Sequence, residues 1–185
     1  MLSAPKGLRT RPTSDMVRES LFNILQGELE DSRIVDLFSG SGAFGLEALS
    51  RGAERAWFVD SSRDCELIIK KNLERCRFGS DRAEVIRSDV FEALRQLSGT
   101  EADIIFADPP YGQENAFLCR LIKMAGSVIK NGGVFILEQQ KSEPDSPEID
   151  GFSVYRVKTY SNTKVIFLKH YIEEQDEHCG LPGQL

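Results

Sequence analysis

A short apolar run, Ile34-Val35-Asp36-Leu37-Phe38, passes through Ser39-Gly40-Ser41-Gly42 into a helical pattern from Ala43 to Ser50. A strand that turns through glycines straight into a helix reads as the first half of a crossover to a parallel neighbour. The pattern then repeats. Arg55–Asp60, Glu84–Arg87, Ala102–Ala107 and Gly133–Glu138 read as further strands. Helices are predicted over Arg63–Arg77, Val90–Leu97 and Asn115–Ile129. Ahead of the first strand, Thr13 or Ser14 can cap a helix whose apolar face is Val17, Leu21, Ile24 and Leu25. Short apolar strands alternating with amphipathic helices predict an α/β fold, a parallel sheet covered on both faces. The end of the chain differs. Phe152–Tyr160 and Lys164–Lys169, joined by Ser161-Asn162-Thr163, read as an antiparallel hairpin closing an αβα sandwich.

No repeat or domain boundary interrupts this pattern, so residues 1–170 are expected to form a single domain. Its first thirteen residues make an extended basic start with Lys6, Arg9 and Arg11. Lys141–Asp150, with two prolines and four acids, reads as a surface loop, and 171–185 as an acidic, disordered tail. With 41% hydrophobic and 28% charged residues, the chain as a whole is globular rather than disordered. No apolar run nears the roughly 18 residues of a membrane helix, and the start has no signal-peptide core. The cysteines Cys65, Cys76, Cys119 and Cys179 are scattered, with no Cys-x-x-Cys pair, so no metal site is expected. A cytoplasmic monomer without metal is the plain expectation.

The net charge of −6 is unevenly spread. Four acids fall between Ser142 and Asp150 and four more beyond Tyr171; without those eight the remainder is +2. A mildly basic body with an all-basic start permits a nucleic-acid partner, although solvated surface charge explains the numbers as well.

Gly40-Ser41-Gly42-Ala43-Phe44-Gly45 fits G-x-G-x-x-G, and Asp60 ends the next strand twenty residues beyond Gly40. That spacing suits a nucleotide-type cofactor, including the dinucleotide of an NAD-dependent dehydrogenase. Asp36, four residues before Gly40, argues for a different ligand. An acid there repels a pyrophosphate but favours the sulfonium and ammonium of S-adenosylmethionine. In this reading Asp60 takes the ribose hydroxyls, Asp89 accepts from the adenine amine, and Val90 or Phe91 lies against the ring. Helix capping is the competing role for Asp89.

Asp108-Pro109-Pro110-Tyr111 begins where the fourth strand ends, the sheet edge at which α/β proteins bind ligands. An exocyclic amine on a planar base is a poor nucleophile, because its lone pair is delocalised into the ring. Two acceptors aimed at its hydrogens favour pyramidalisation and free the lone pair for a methyl group. The Asp108 carboxylate can be one acceptor and a carbonyl of Pro109-Pro110 the other, since prolines hold the chain extended and out of the ladder. Tyr111 offers a face for stacking, a contact worth about 1–3 kcal/mol per base. A strand-ending turn is the simpler explanation of four such residues taken alone.

With these residues in place, the chain resembles class I S-adenosylmethionine-dependent methyltransferases. More narrowly, it resembles the bacterial 16S ribosomal RNA (guanine-N2)-methyltransferase family. Three segments carry the likeness: Arg11-Pro12-Thr13-Ser14-Asp15-Met16-Val17-Arg18-Glu19-Ser20-Leu21-Phe22-Asn23-Ile24-Leu25, Asp36–Gly42, and Phe106–Tyr111. The last two point only to amino-methyltransferases; the first points to the ribosomal branch. The resemblance implies a Rossmann-like sandwich, its seven-stranded, mostly parallel sheet having the last strand antiparallel. It implies S-adenosyl-L-methionine as cofactor, held by Asp36, Phe38, Ser39, Gly40, Ser41, Gly42, Asp60, Ser61, Asp89 and Val90. Asp108, Pro109, Pro110 and Tyr111 become the catalytic segment. Arg9, Arg11, Thr13 and Arg18 become contacts to 16S ribosomal RNA or a small-subunit assembly particle. Two departures stand out: no basic hairpin is read before the position of Pro5, which implies either a start placed late or a reduced RNA-docking surface, and Asp60 stands where many relatives carry Glu. Methylation of DNA or of a protein glutamine, a dehydrogenase, and a non-catalytic binding module are the alternatives at this point.

Overall fold

In the computed structural model, residues 12–143 and 148–172 are described, with side chains from Met16 onward. Arg9, Arg11, the Thr13 side chain, Cys179 and the tail from Glu173 lie outside the described residues. The elements run α1 (Pro12–Ile24), β1 (Arg33–Leu37), α2 (Ala43–Ser50), β2 (Arg55–Asp60), α3 (Arg63–Cys76) and β3 (Ala83–Arg87). They continue α4 (Val90–Gln96), β4 (Ala102–Ala107), α5 (Asn115–Ala125), β5 (Ile129–Gln140), β6 (Phe152–Tyr160) and β7 (Thr163–His170).

The strands form one seven-stranded sheet in the order β3-β2-β1-β4-β5-β7-β6. β1 to β5 pair in parallel, and β7 lies antiparallel between β5 and β6. This is the expected α/β sandwich with its closing hairpin. Apolar side chains are buried on both faces. Val35, Leu37, Ile105 and Leu137 pack with α4 and α5; Ile34, Phe58, Phe106 and Ile136 pack with α1, α2 and α3. Burial on both sides is why these strands read as nearly unbroken apolar runs. β6 is the edge, exposed from Ser153 to Thr159.

Apart from shifts of one residue, three boundaries differ from the pattern reading. α1 begins at Pro12 rather than after a Thr13 or Ser14 cap, since proline's fixed φ suits a first helical turn. α5 stops at Ala125 rather than Ile129, because the Ala102 N–H captures the Val128 carbonyl and β5 pairs from Ile129. β5 therefore starts earlier, through Asn131-Gly132-Gly133, with a shift of register between Ala102 and Ile104. A Cβ on Gly133 would stand 2.5 Å from Ile129 Cγ1 and 3.1 Å from the Ala102 carbonyl, so only glycine passes there.

Strand order reverses between β1 and β4. At such a switch point the loops after neighbouring strands lead to opposite faces and leave a crevice at the carboxyl edge. Here those loops are Phe38–Gly42 and Asp108–Glu114.

Candidate active site

The loop after β1 is held in shape from below. Phe38, Gly40 and Gly42 all have positive φ (59°, 55° and 76°), which costs the non-glycine Phe38 on the order of 1–3 kcal/mol. Ser39 offsets this: its N–H donates to the Val59 carbonyl at 3.0 Å and its hydroxyl to the Asp36 carbonyl at 2.5 Å. The Gly40 N–H donates to Asp60 Oδ2 at 2.9 Å, and the Ser62 N–H to Asp60 Oδ1 at 2.9 Å. Asn72 Nδ2 donates to the Ser41 carbonyl at 3.0 Å. Gly45 answers to packing, since a Cβ there would sit 2.4 Å from Phe58 Cε1.

Asp36 lies beneath this loop, 1% exposed, with Oδ2 accepting the Gly45 N–H at 3.0 Å. Burial pushes its carboxyl up to about 7; the Gly45 N–H opposes this, and Asp108 and Asp60 add to it. It braces the start of α2 rather than lining the cleft.

The cleft opens beside the loop. Phe38, Asp60, Ser61, Asp89, Val90 and Pro110 line it, joined by Val59, Ser88, Gln113 and Phe117. Of these, Val59, Ser88, Gln113 and Phe117 escaped the sequence reading. Val59 and Ser88 flank strand-end acids already singled out, whereas Gln113 and Phe117 reach the cleft only through the fold. Asp89 both faces the cleft and caps α4, Oδ1 accepting the Phe91 N–H at 2.9 Å. Val90 faces the cleft. Phe91 is buried, edge-on to Phe117 with ring centroids 5.3 Å apart. Acids line this cleft, and among the described residues no basic side chain does. A cationic ligand suits that lining and a pyrophosphate does not.

The Asp108–Tyr111 segment forms the other wall. Pro109 is buried, while Asp108, Pro110 and Tyr111 are exposed, Tyr111 at 49%. Glu143 secures the loop that follows: Oε1 accepts the Gly112 N–H at 2.8 Å and Oε2 the Gln140 N–H at 3.3 Å. The Glu143 carbonyl in turn accepts from Lys164 Nζ at 3.0 Å. Asp108 keeps water along its open side, but protein crowds the rest and pushes its carboxyl up to about 6.

Glu138 escaped the sequence reading. Ala107 pairs with Leu137, and one step further Asp108 stands level with Glu138. Burial, then the Asp108 charge, push the Glu138 carboxyl up to about 8. Its one sequence signal is that it is an acid near a strand's carboxyl end. Arg18 is half-buried on α1 and does not line the cleft. Among the described residues no cluster of His, Cys, Asp and Glu could hold a metal, and no helix is long and apolar enough to cross a membrane.

The chain is similar to proteins of known sequence and structure over nearly all its length. The Bacillus subtilis protein YlbH, provisionally named an rRNA methyltransferase, is 36% identical over 171 residues, covering 91% of this chain and 92% of its own. Ribosomal RNA small subunit methyltransferase D of Haemophilus influenzae is 33% identical over 135 residues, 72% of this chain and 70% of that one. Among solved structures, the Escherichia coli protein yhhF, provisionally titled a methyltransferase, superposes with a TM-score of 0.77 at 31% identity. That match covers 92% of this chain and 91% of the other. The family model described as conserved hypothetical protein 95 matches residues 1–169. The chain belongs to that family, the family of the small-subunit methyltransferase D proteins.

Proposed function

We propose that this protein transfers a methyl group from S-adenosyl-L-methionine to the exocyclic N2 amine of a guanine in 16S ribosomal RNA. The observation that carries the reading is the meeting, at the switch point between β1 and β4, of an acid-lined cleft with the Asp108–Tyr111 segment. The names of the relatives support ribosomal RNA as the substrate class, and that of the Haemophilus influenzae protein the small subunit's. Asp60 and Asp89 in the lining disfavour a pyrophosphate and with it the dehydrogenase.

When bound, S-adenosyl-L-methionine supplies an electrophilic methyl on a sulfonium. The chain's own residues bind and orient. Each Asp60 oxygen spends one lone pair on the backbone and keeps another for a ribose hydroxyl, and Asp89 and Val90 suit the adenine amine and ring. Ser61 lines the same wall, and Ser39, Ser41, Gly40 and Gly42 set the loop's shape. Asp36 adds negative charge beneath it. Asp108 and a carbonyl of Pro109-Pro110 accept from the two amine hydrogens, and Tyr111 stacks on the base. Transfer then depends on positioning and fixed charge. Arg9, Arg11, Thr13 and Arg18 are assigned to RNA contact. The substrate is the RNA itself or an assembly particle, and the enzyme works as a cytoplasmic monomer.

The test is incubation with labelled cofactor and small subunits lacking guanine methylation, followed by nucleoside analysis. Labelled N2-methylguanosine is expected. Label confined to added DNA or protein would refute the proposal.

A further inference from the structure

Glu138 has no part in the scheme above, yet it stands beside the group that does most in it. The register Phe106↔Ile136 and Ala107↔Leu137, carried one step on, sets Glu138 level with Asp108, the residue just beyond β4. Residues level in this way share a face, here the α1 side where Phe106 and Ile136 pack. Glu138 is half-buried. Among the described residues its carboxyl takes part in no hydrogen bond or ion pair. A crowded acid whose close neighbour is another acid is costly unless a ligand completes it.

A guanine with its N2 amine against Asp108 presents N1–H beside that amine and O6 beyond it. A carboxylic acid level with Asp108 matches both groups. Its carbonyl oxygen accepts from N1–H, and its hydroxyl donates to O6. We propose that Glu138 reads the guanine, pairing with the N1–H and O6 edge while Asp108 holds the N2 amine. The inference rests on the guanine-N2 reading above. Adenine has an unprotonated ring nitrogen beside its amine and no carbonyl beyond, so it satisfies at most one of the two bonds.

The proton needed for the O6 bond is available. Burial raises both carboxyls, Glu138 to about 8 and Asp108 to about 6, so the pair retains a proton near neutrality. Asp36 on β1 shares the face; on β7 Val165 stands opposite Glu138, so Lys164, opposite Gln139, lies on the other face. Lys169, Lys130 and Asp103 lie toward the far ends of β7, β5 and β4, and on α1 Arg18 is half-buried and Glu19 exposed. Lys164 is turned to the Glu143 carbonyl, and Asp108 is the one charge that raises Glu138.

Full-length wild type, Glu138→Gln and Glu138→Leu are compared for kcat/KM on unmethylated small subunits between about pH 6.5 and 9. Cofactor affinity is measured on each by calorimetry. The glutamine amide keeps an acceptor for N1–H and a donor for O6 but does not titrate. E138Q is expected to lose no more than about threefold near neutrality and to lack the wild type's alkaline decline. E138L is expected to lose about ten- to a hundredfold, with cofactor affinity unchanged in both. If E138Q falls as far as E138L, carboxylate charge rather than pairing is at work and the proposal fails. It fails equally if E138L matches wild type. A wild type that makes no N2-methylguanosine overturns the functional reading itself and this inference with it, an outcome separate from the other two.

Discussion

Replacing Asp36 with asparagine should stabilise the cofactor-free protein at alkaline pH, although it alters a buried residue of the cofactor loop. The Asp36 carboxyl is 1% exposed and has one hydrogen bond, from Gly45 at 3.0 Å. Burial raises it from an ordinary 3.8 to about 7. Between those values the folded chain holds a proton that the unfolded chain has released, so stability falls as pH rises through that window. At about 1.4 kcal/mol per pH unit, the full cost above neutrality is roughly 4 kcal/mol. Part of the rise comes from the Asp108 and Asp60 charges rather than from burial. The D36N gain is therefore about 2–4 kcal/mol on going from about pH 4.5 to pH 8.5. Asparagine keeps an oxygen for the Gly45 N–H, so the bond survives and the charge alone is removed. Urea unfolding of both proteins at the two pH values gives the double difference. Parallel pH dependence in wild type and variant would show that Asp36 is not a strained acid. Cofactor titration supplies the counterpart: D36N should bind S-adenosyl-L-methionine more weakly, because the negative charge beneath the loop favours a cation.

Asp108→Ala should slow methyl transfer in single turnover by about 10²–10³ while leaving cofactor affinity within a few-fold. Comparable loss in both measurements would place Asp108 in cofactor binding instead. Gly45→Ala brings a Cβ to 2.4 Å from Phe58 Cε1 and 2.8 Å from its Cζ. The overpacking cost of about 1–3 kcal/mol should exceed the helix-propensity gain of about 0.5–1 kcal/mol, read as a lower urea midpoint that Phe58→Leu partly restores. Glu143→Ala removes the acceptor shared by the Gly112 and Gln140 N–H groups and should lower kcat by about three- to tenfold through a loosened Asp108–Tyr111 wall. Cofactor affinity, measured by calorimetry, should not move.

How much of this was legible in the sequence follows from how local each cause is. Gly40 and Gly42 answer to backbone conformation, so the loop after β1 could be read directly. The end of α5 could not. Ala125, Val128 and Ile129 continue an apolar pattern, and pairing with β4 ends the helix there. Asn131-Gly132-Gly133 looks like a breaker before a short strand, yet it is the early part of β5, where glycine admits the Ala102 carbonyl. The residue types at Asp36 and Asp60 were readable, but their bonds to Gly45 and Gly40 were not, because those partners arrive through the turn itself. Glu138 is the sharpest case. Along its own strand it is only a half-buried acid near an end; its meaning comes from Asp108, just past the end of the neighbouring strand. In a parallel sheet every strand delivers its carboxyl end to one edge. Asp36, Asp60, Asp108 and Glu138, on or just beyond four different strands, therefore converge although a chain-order reading meets them far apart. Burial raises Asp36, Asp108 and Glu138, and the Asp108 charge adds to the rise at Asp36 and Glu138, so this edge is least comfortable when empty. A cationic methyl donor and a base offering hydrogen-bond donors relieve that strain together, which makes the arrangement selective for its ligands at the expense of the empty fold.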